Sequence, residues 1–251
     1  MSRAVGTNRL RPFAVDRVYS AIRRKAIPPG VRTAVEIVAD RMLLQAFVER
    51  LALDLVLDVG AHNGDYALTL RRLGYSGPIC CFEPNPEAFA EMSRRFSRDP
   101  GWSGRNVALG ACAGVRRLHV PRLNNLASFL ESLDQAENTR EVDVRIETLD
   151  DVLAGLLEST GARRVLLKTD TQGYDLEVIR GGERVFEHVV GLQCEISVVP
   201  IYEGMPHYLE VLGYLEDRGF ELVNLCTAYR KPESLRIVEY DCLMARRGEV
   251  R

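Results

Sequence analysis

The 251-residue sequence has almost no excess of charge of either sign. Lysine and arginine together number 33 and aspartate and glutamate 35, so the net charge is only −2. Proteins that bind nucleic acid usually carry a basic face or stripe. The densest basic run here, Arg23 to Lys25, is interpreted as the solvated face of a helix. We therefore expect no nucleic-acid partner.

Long apolar runs are also missing. The sequence contains no stretch of about 18 consecutive apolar residues, the length that indicates a membrane-spanning helix. Residues 1–25 contain scattered arginines and lack the apolar centre of a secretory signal, so we expect neither a membrane span nor a signal. With 46% hydrophobic and 27% charged residues, the composition is typical of a globular protein with one α/β domain.

The cysteines form no CxxC pair. Zinc sites and thiol redox motifs use such pairs, whereas disulfide frameworks belong to oxidising compartments. Several of the cysteines fall inside apolar runs that indicate strands, which is typical of buried free thiols and predicts a cytoplasmic protein. The six are Cys80, Cys81, Cys112, Cys194, Cys226 and Cys242.

Two glycine-rich phosphate loops are absent as well. The sequence contains neither the GxGxxG of dinucleotide-binding folds nor the GxxxxGK[ST] of P-loop proteins. These absences exclude the two commonest ways in which an α/β protein holds a pyrophosphate.

The most informative stretch that is present is LVLDVGAHNGD, residues 55–65. Its apolar part predicts a buried strand that runs into a tight turn at Gly60 and Gly64, with a helix from about Asp65. Glycine lets the backbone turn sharply and approach a ligand closely, and the free amides of the helix point to the same place. Asp58, just before the turn, would repel a pyrophosphate and suits a ligand with a cationic amine, such as S-adenosylmethionine.

Strand and helix patterns alternate along the rest of the chain and end in two strands. This alternation predicts an α/β fold whose mostly parallel sheet has helices on both faces. Before it, residues 10–51 show helical periodicity broken at residues 28–30. We predict a helical extension over 1–52 and a ligand-binding domain over 53–251. The extension covers a flank of the sheet, forms the wall of a substrate pocket or makes a homodimer contact. Strands are predicted at 55–59, 79–82, 105–109, 117–120, 141–146, 165–168, 189–196, 220–225 and 237–244, helices at 66–73, 87–96, 148–157, 174–180 and 206–217, and a mobile or substrate-facing loop at 121–140.

Polar side chains stand at the carboxyl ends of five predicted strands, where parallel sheets bind their ligands. Glu83 follows Asp58 by 25 residues, the spacing of one crossover helix, and is placed to accept hydrogen bonds from a ribose diol. Packing alone does not readily explain such a set. Its members are Asp58 with Gly60, Glu83, Asn106, Asp170 and Glu195.

Five motifs follow one another in a fixed order along the chain: LVLDVGAHNGDYALTLRRLGYSGPICCFEPNPEAF, NVALG, TLDDVL, LLKTDTQGYDLEVIRGG and EISVVPIYEGMP. Together they resemble the FkbM family of S-adenosylmethionine-dependent methyltransferases. The resemblance spans residues 55–246 and implies a class I methyltransferase fold, a Rossmann-like sheet that is mostly parallel with a C-terminal antiparallel strand. It further implies methylation of a hydroxyl oxygen on a sugar or on a glycosylated or polyketide-type natural product.

The resemblance also implies the cofactor-binding residues. The turn DVGAHNG holds the methionine end of S-adenosylmethionine, Glu83 binds the ribose, and residues 106–108 line the adenine side. Family members often carry asparagine at the position of His62. The cofactor set is Asp58, Gly60, His62, Asn63, Gly64, Tyr66, Glu83, Pro84, Asn106, Val107 and Asp170.

Methyl transfer to an alcohol requires alignment and removal of a proton. Asp170 is our first choice as the base or as a ligand to Mg²⁺, and Glu195 is the second; the requirement for a metal stays open. Lys168 either lowers the pKa of a neighbouring acid or pairs with it. Lone histidines, His119 and His207, are more simply structural. Predicted acceptor contacts are Ser128, Gln172, Tyr202 and Glu203.

Two other functions remain open. One is N-methylation of another small acceptor; the [DN]PP[YF] tetrad of enzymes that methylate nucleic-acid nitrogens is absent. The other is a module that binds the cofactor without catalysis. The presence of Asp58, Gly60, Glu83 and Asp170 counts against this second reading.

Overall fold

The computed structural model describes residues 29–121, 127–133, 139–231, 234 and 236–250, with side chains from residue 34 onward. The chain forms two compact units, residues 1–44 and 45–251. The predicted domain boundary after residue 52 stays a prediction. The first helical piece predicted within residues 10–51 lies outside the described residues.

The helices and strands agree with most of the sequence-based predictions. Their order is α1 (Pro29–Arg50), β1 (Leu55–Val59), α2 (Asp65–Arg72), β2 (Ile79–Phe82), α3 (Pro86–Arg95), β3 (Trp102–Arg105), β4 (Ala108–Leu109), β5 (Gly114–Pro121), β6 (Thr139–Glu147), α4 (Leu149–Thr160), β7 (Val165–Thr169), α5 (Asp175–Arg180), a short 3₁₀ helix (Phe186–His188), β8 (Val189–Ser197), α6 (Tyr208–Asp217), β9 (Phe220–Arg230) and β10 (Ile237–Arg246).

Seven strands form the main sheet, in the order β3-β2-β1-β7-β8-β10-β9. Strands β1, β2, β3, β7 and β8 are parallel, and β10 runs antiparallel to both of its neighbours. This arrangement confirms the predicted Rossmann-like sheet with a C-terminal antiparallel strand. Because β1, β2 and β7 are parallel neighbours, their carboxyl ends meet at one edge of the sheet.

Strands β1 and β7 are buried along their whole length. A parallel strand with both faces covered reads as a continuous apolar run, which is why the sequence reveals both strands so clearly. The helix that precedes β7 begins with a capping pair that the sequence spacing predicts: the Thr148 hydroxyl accepts a hydrogen bond from the Asp151 N–H at 3.2 Å. That bond satisfies one of the free amides at the start of α4.

The prediction of one strand over residues 105–109 is wrong. The chain instead forms β3 at the edge of the main sheet and β4 in a second, smaller sheet. Residues of β3 are only partly buried or exposed, so the segment WSGR shows no apolar run that the sequence could reveal. Between the two strands, the side-chain amide of Asn106 donates to the backbone oxygens of Glu83 and Pro84 at 2.8 and 3.1 Å.

The smaller sheet has the order β4-β6-β5. Strands β5 and β6 form an antiparallel hairpin paired from Gly114 with Ile146 to Pro121 with Thr139. Leu118 and Val120 of β5 are buried, whereas Val115 on the opposite face is 73% exposed. The period-two alternation predicted for these segments is therefore confirmed, with one face largely buried and the other largely exposed.

The cysteines agree with the prediction of free thiols, with two exceptions in burial. All six are free, and Cys80, Cys81, Cys194 and Cys242 are buried. Cys112 is exposed and Cys226 is partly exposed. Within the residues that the structure describes, no helix has both the length and the apolar character needed to cross a bilayer.

Candidate active site

The turn between β1 and α2 brings three strand ends together. Gly60 has a φ of +71°, and a β-carbon there would lie 1.9 Å from the backbone oxygen of Asp170. The amides of Gly60 and Ala61 both donate to the Phe82 oxygen, at 3.0 and 3.1 Å. A side chain at position 60 would therefore push the ends of β1, β2 and β7 apart.

His62 also has a left-handed backbone, with a φ of +48°. Histidine tolerates this region better than most residues do. The His62 amide donates to a carboxylate oxygen of Glu83 at 2.7 Å. The left-handed turn thus orients the acid at the end of β2.

Glu83 is 5% exposed and is held by two backbone amides. One carboxylate oxygen accepts from His62, and the other accepts from the Asn85 amide at 2.8 Å. Burial raises the pKa of Glu83, and the two amide donors act against this rise. The carboxylate lies at the wall of the site in a fixed orientation.

A cavity of about 920 Å³ opens beyond the strand ends. Its lining combines the ends of β1, β2 and β7 with the inner face of the smaller sheet. The residues are Val59, Gly60, His62, Phe82, Glu83, Pro84, Asn85, Glu87, Ala108, Leu109, Leu118, Val120, Pro121, Ala127, Phe129, Arg140, Asp170, Thr171, Gln172 and Tyr174.

Asp58 and Lys168 form a buried ion pair beneath this cavity. The Lys168 ammonium lies 2.9 Å from the Asp58 carboxylate and donates to the Gly60 oxygen at 3.2 Å. Burial alone would lower the pKa of Lys168, but the carboxylates of Asp58 and Asp170 raise it above its usual value. The pairing considered for Lys168 is confirmed, with Asp58 as its main partner. Asp58 is fully buried and does not line the cavity, so its contact with a cofactor stays a prediction.

Gln172 connects several of the predicted catalytic and acceptor residues. Its side-chain nitrogen donates to Asp170 at 3.2 Å and to Glu195 at 3.1 Å. The Tyr202 hydroxyl donates to its side-chain oxygen at 3.0 Å, and the Ser128 hydroxyl donates to its backbone oxygen at 2.8 Å. Gln172 has a φ of +52°, a strained conformation that such a network can hold.

The two candidate bases have different environments. The Asp170 side chain is 43% exposed and lines the cavity. Glu195 lies behind it, and burial followed by the charges of Asp170, Glu239 and other acids raises its pKa well above the usual value. Asp170 is therefore the one of the two carboxyl groups that reaches the cavity surface, while Glu195 holds a proton.

The remaining predicted site residues lie outside the cavity lining. The Tyr66 hydroxyl donates to Gln193 at 3.0 Å, and the Asn63 side chain accepts from the Asp65 amide at 3.2 Å. Val107 is buried, and Glu203 is exposed. Others in this group are Gly64, Asn106, Lys168, Ser128, Tyr202 and Glu195, so the cofactor and acceptor roles predicted for all of them stay predictions.

Sequence reasoning missed the contribution of the smaller sheet. Leu118, Val120 and Phe129 line the cavity, and so does Tyr174 at the start of α5. The alternation in residues 117–120 predicts a strand but does not indicate what its apolar face covers. The loop 121–140 contains several apolar residues, Ala127 and Phe129 among them, but their spacing does not indicate which of them face the cavity.

The requirement for a metal, which the sequence leaves open, stays open. Across the described part of the chain, no three histidine, cysteine, aspartate or glutamate side chains converge in a way that could hold an ion. The residues present therefore offer no assignment of a Mg²⁺ site.

Comparison with known proteins identifies relatives among methyltransferases. The family model described as the methyltransferase FkbM domain matches residues 58–222. The chain is 27% identical over 194 residues to Methyltransferase sdnD of Sordaria araneosa, an alignment that covers 66% of this chain and 73% of that protein. It is 24% identical over 184 residues to Methyltransferase 1 of Beauveria bassiana, covering 66% of this chain and 71% of the relative.

Solved structures with a similar arrangement are also methyltransferases. Magnesium protoporphyrin IX methyltransferase from Synechocystis PCC 6803, with bound SAM, is 10% identical with a TM-score of 0.45, covering 96% of this chain and 100% of that chain. A putative RNA methyltransferase, PH1948 from Pyrococcus horikoshii, is 13% identical with a TM-score of 0.44, covering 84% of each chain. At these values the likeness carries no conclusion about the substrate.

The buried ion pair leads to a prediction about stability. Replacing Lys168 with methionine leaves the Asp58 charge buried without its partner, so Lys168→Met should lower the free energy of unfolding by about 3 to 5 kcal/mol. The double variant Asp58→Asn with Lys168→Met should recover much of this loss, because neither charge remains. Urea unfolding of the three proteins measures the effect. A single variant within about 1 kcal/mol of wild type would contradict it.

Asp175 leads to a prediction about pH. Burial raises the pKa of Asp175 to about 6 from 3.8, with a smaller contribution from Asp170. The folded state therefore holds this proton more tightly than the unfolded chain, and through this group wild type loses stability as the pH rises from about 4 to 6. Asp175→Asn cannot titrate. Its stability relative to wild type should increase by about 3 kcal/mol between pH 4 and pH 7, measured by urea unfolding; a constant difference would refute the prediction.

Proposed function

The chain belongs to the FkbM family of S-adenosylmethionine-dependent methyltransferases, and we propose that it methylates a hydroxyl oxygen of a sugar or of a glycosylated or polyketide-type natural product. One observation carries the proposal: Glu83 and Asp170 line the same cavity, with Gly60 between their strands. Glu83 is suited to binding a ribose, and Asp170 is suited to accepting a proton from the hydroxyl that is methylated.

The residues present fit S-adenosylmethionine. At the Gly60 turn, where the backbone is exposed to the cavity, a β-carbon would collide with Asp170. Each Glu83 oxygen accepts one amide and has a further lone pair for a ribose hydroxyl. Ala108 and Leu109 offer apolar surface on the side proposed for adenine, next to Asn106 and Val107.

The proposed reaction needs one carboxylate beside the acceptor hydroxyl to take up its proton. When bound, S-adenosylmethionine supplies an electrophilic methyl group. Asp170 accepts the proton of the acceptor hydroxyl as the new C–O bond forms and the methyl–sulfur bond breaks, which leaves a methyl ether and S-adenosylhomocysteine. Gln172 orients the Asp170 carboxylate, and Lys168 holds a positive charge 3.8 Å from it. That charge attracts the Asp170 carboxylate and helps to position it.

We further propose that the acceptor is a small molecule and that the protein acts in the cytoplasm. The net charge of −2 supports a small acceptor over a nucleic acid, and the buried free thiols support a reducing compartment. N-methylation of a small acceptor and binding without catalysis are the competing functions. Product analysis after incubation with candidate glycosides, polyketide alcohols and their amino analogues separates all three.

The cofactor site can be tested without an acceptor. Glu83→Gln keeps the shape but replaces a charged acceptor of ribose hydrogen bonds, so the Kd for S-adenosylmethionine should rise at least about tenfold. Isothermal titration calorimetry measures it. Glu91→Gln, on the exposed face of α3, is the matched control and should bind like wild type. Equal affinity in all three proteins would remove Glu83 from the site, and no binding to wild type would refute the cofactor assignment.

The base can be tested by separating chemistry from binding. Asp170→Asn still accepts the hydrogen bond from Gln172 but cannot take a proton, so kcat should fall by about 10²- to 10⁴-fold with little change in cofactor Kd. Formation of S-adenosylhomocysteine with the acceptor found by screening gives the rate, with and without EDTA. Asp143→Asn, on the exposed face of β6, is the control. Unchanged turnover in Asp170→Asn would exclude it as the base, whereas loss of wild-type activity in EDTA would favour a metal ligand.

A further inference from the structure

One side of the cavity is formed by apolar side chains of the smaller sheet and the segment beside it. We call this surface the apolar wall. None of its side chains has a nitrogen or oxygen atom, and four of its five residues are buried. The wall consists of Leu118, Val120, Pro121, Ala127 and Phe129.

The apolar wall is attached to the end of β7. Ser128 pairs through its backbone with His119 of β5, at 2.9 and 3.0 Å. The Ser128 hydroxyl donates to the Gln172 oxygen at 2.8 Å, and the Phe129 ring contacts Tyr174 edge-on with 5.0 Å between centroids. The part of the wall around Phe129 therefore lies beside the turn that carries Asp170.

Most polar side chains of the cavity lie at two other places, apart from His62 after β1 and Arg140 on β6, which pairs with Glu87. One group follows β2 and includes Glu83, the proposed ribose ligand; the other follows β7 and includes Asp170. Small-molecule pockets span roughly 300 to 1,000 Å³, so a cavity of about 920 Å³ has room for an acceptor beside a nucleoside cofactor. The lining residues with polar side-chain atoms are His62, Glu83, Asn85, Glu87, Arg140, Asp170, Thr171, Gln172 and Tyr174.

We propose that the apolar wall binds the acceptor, and that the acceptor is an alcohol with an apolar ring body. Its reacting hydroxyl lies at Asp170, and its body packs against Ala127, Phe129 and Leu118. This inference rests on the proposed function and narrows it from sugars and natural products in general to molecules with a hydrophobic framework. An apolar ring loses water from its surface on this wall, which favours binding.

A free sugar would bind poorly at the same place. It carries hydroxyl groups around its whole ring, and those facing the apolar wall would lose hydrogen bonds to water without finding partners. A sugar could still react if it were attached to an apolar framework that occupies the wall. The alternative occupant is the adenine of the cofactor, and the experiment distinguishes it.

The test compares two small ring alcohols of similar size. Decahydro-2-naphthol has a hydrocarbon body with a single hydroxyl, whereas methyl β-D-glucopyranoside is hydroxylated around its ring. Saturation-transfer NMR titrations with protein saturated in S-adenosylhomocysteine should give a Kd at least about tenfold lower for the decahydronaphthol. Equal or tighter binding of the glucoside, or no binding of the decahydronaphthol, would overturn the inference. Displacement of S-adenosylhomocysteine would also overturn it, because the wall would then hold the cofactor.

Matched variants locate the binding surface. Ala127 is partly exposed, so Ala127→Asp introduces a charge into the wall without burying it in the core. It should weaken decahydronaphthol binding at least about tenfold and leave the Kd of S-adenosylhomocysteine unchanged. Val115→Asp places the same charge on the outer face of the same sheet and should change neither value. Equal effects of the two variants, or an effect on cofactor binding alone, would contradict the proposal.

A second variant covers the case in which Ala127→Asp does not fold. Val120→Thr is nearly isosteric and adds one hydroxyl to the wall, with Val115→Thr as its control. It should weaken the decahydronaphthol by about threefold or more, since the new hydroxyl loses water on binding. Unchanged affinity would overturn the inference. If wild type fails to bind S-adenosylhomocysteine, the proposed function fails with it; if the cofactor product binds and the apolar probe does not, only this inference fails.

Discussion

The site depends on how closely the backbone of Gly60 approaches the backbone oxygen of Asp170. A β-carbon at position 60 would lie 1.9 Å from that oxygen, which leaves room for glycine alone. The Asp170 amide donates to the Val59 oxygen at 3.0 Å, and Lys168 bonds the Gly60 oxygen at 3.2 Å. These contacts fix the turn proposed for the cofactor to the residue proposed as the base. In methyl transfer, where alignment supplies much of the rate, a rigid connection between the two is the main requirement.

The ionisable side chains around the contact between Gly60 and Asp170 fall into two groups, one buried and one accessible from the cavity. Asp58 and Lys168 compensate each other beneath the cavity, at 2.9 Å. Glu195 and Asp175 lie in surroundings that favour their protonated forms, and burial is the largest cause for both. Asp170 is the acid of this cluster that lines the cavity, and its side chain is 43% exposed. Neighbouring carboxyl groups with separated pKa values can take different roles in proton transfer.

Much of this arrangement could be predicted from the sequence, because buried parallel strands leave continuous apolar runs. Those runs locate β1, β2 and β7, and the polar residues after them indicate the ligand edge. Strand β3 could not be found in this way, since its edge position leaves WSGR only partly buried. The burial of Asp58 was equally hidden, because its partner Lys168 lies 110 positions further along the chain and only the register of β1 with β7 joins them. The apolar wall depends on how the smaller sheet folds over the cavity, which no local pattern encodes.

The acidic side chains near the strand ends reduce the stability of the core in which they are buried. Asp175 and Glu239 are almost fully buried, and burial raises the pKa of both, so the folded state gains nothing from their ionised forms. Both acids lie near the carboxyl edge of the sheet, above the strands β1 and β7, which are buried throughout. Two of the three non-glycine residues with left-handed backbones in the described part of the chain, His62 and Gln172, also lie at this edge, and the third, Ala52, precedes β1. Strained non-glycine backbones and buried acids that gather near the ends of packed strands are typical of a functional site and not of a folding requirement.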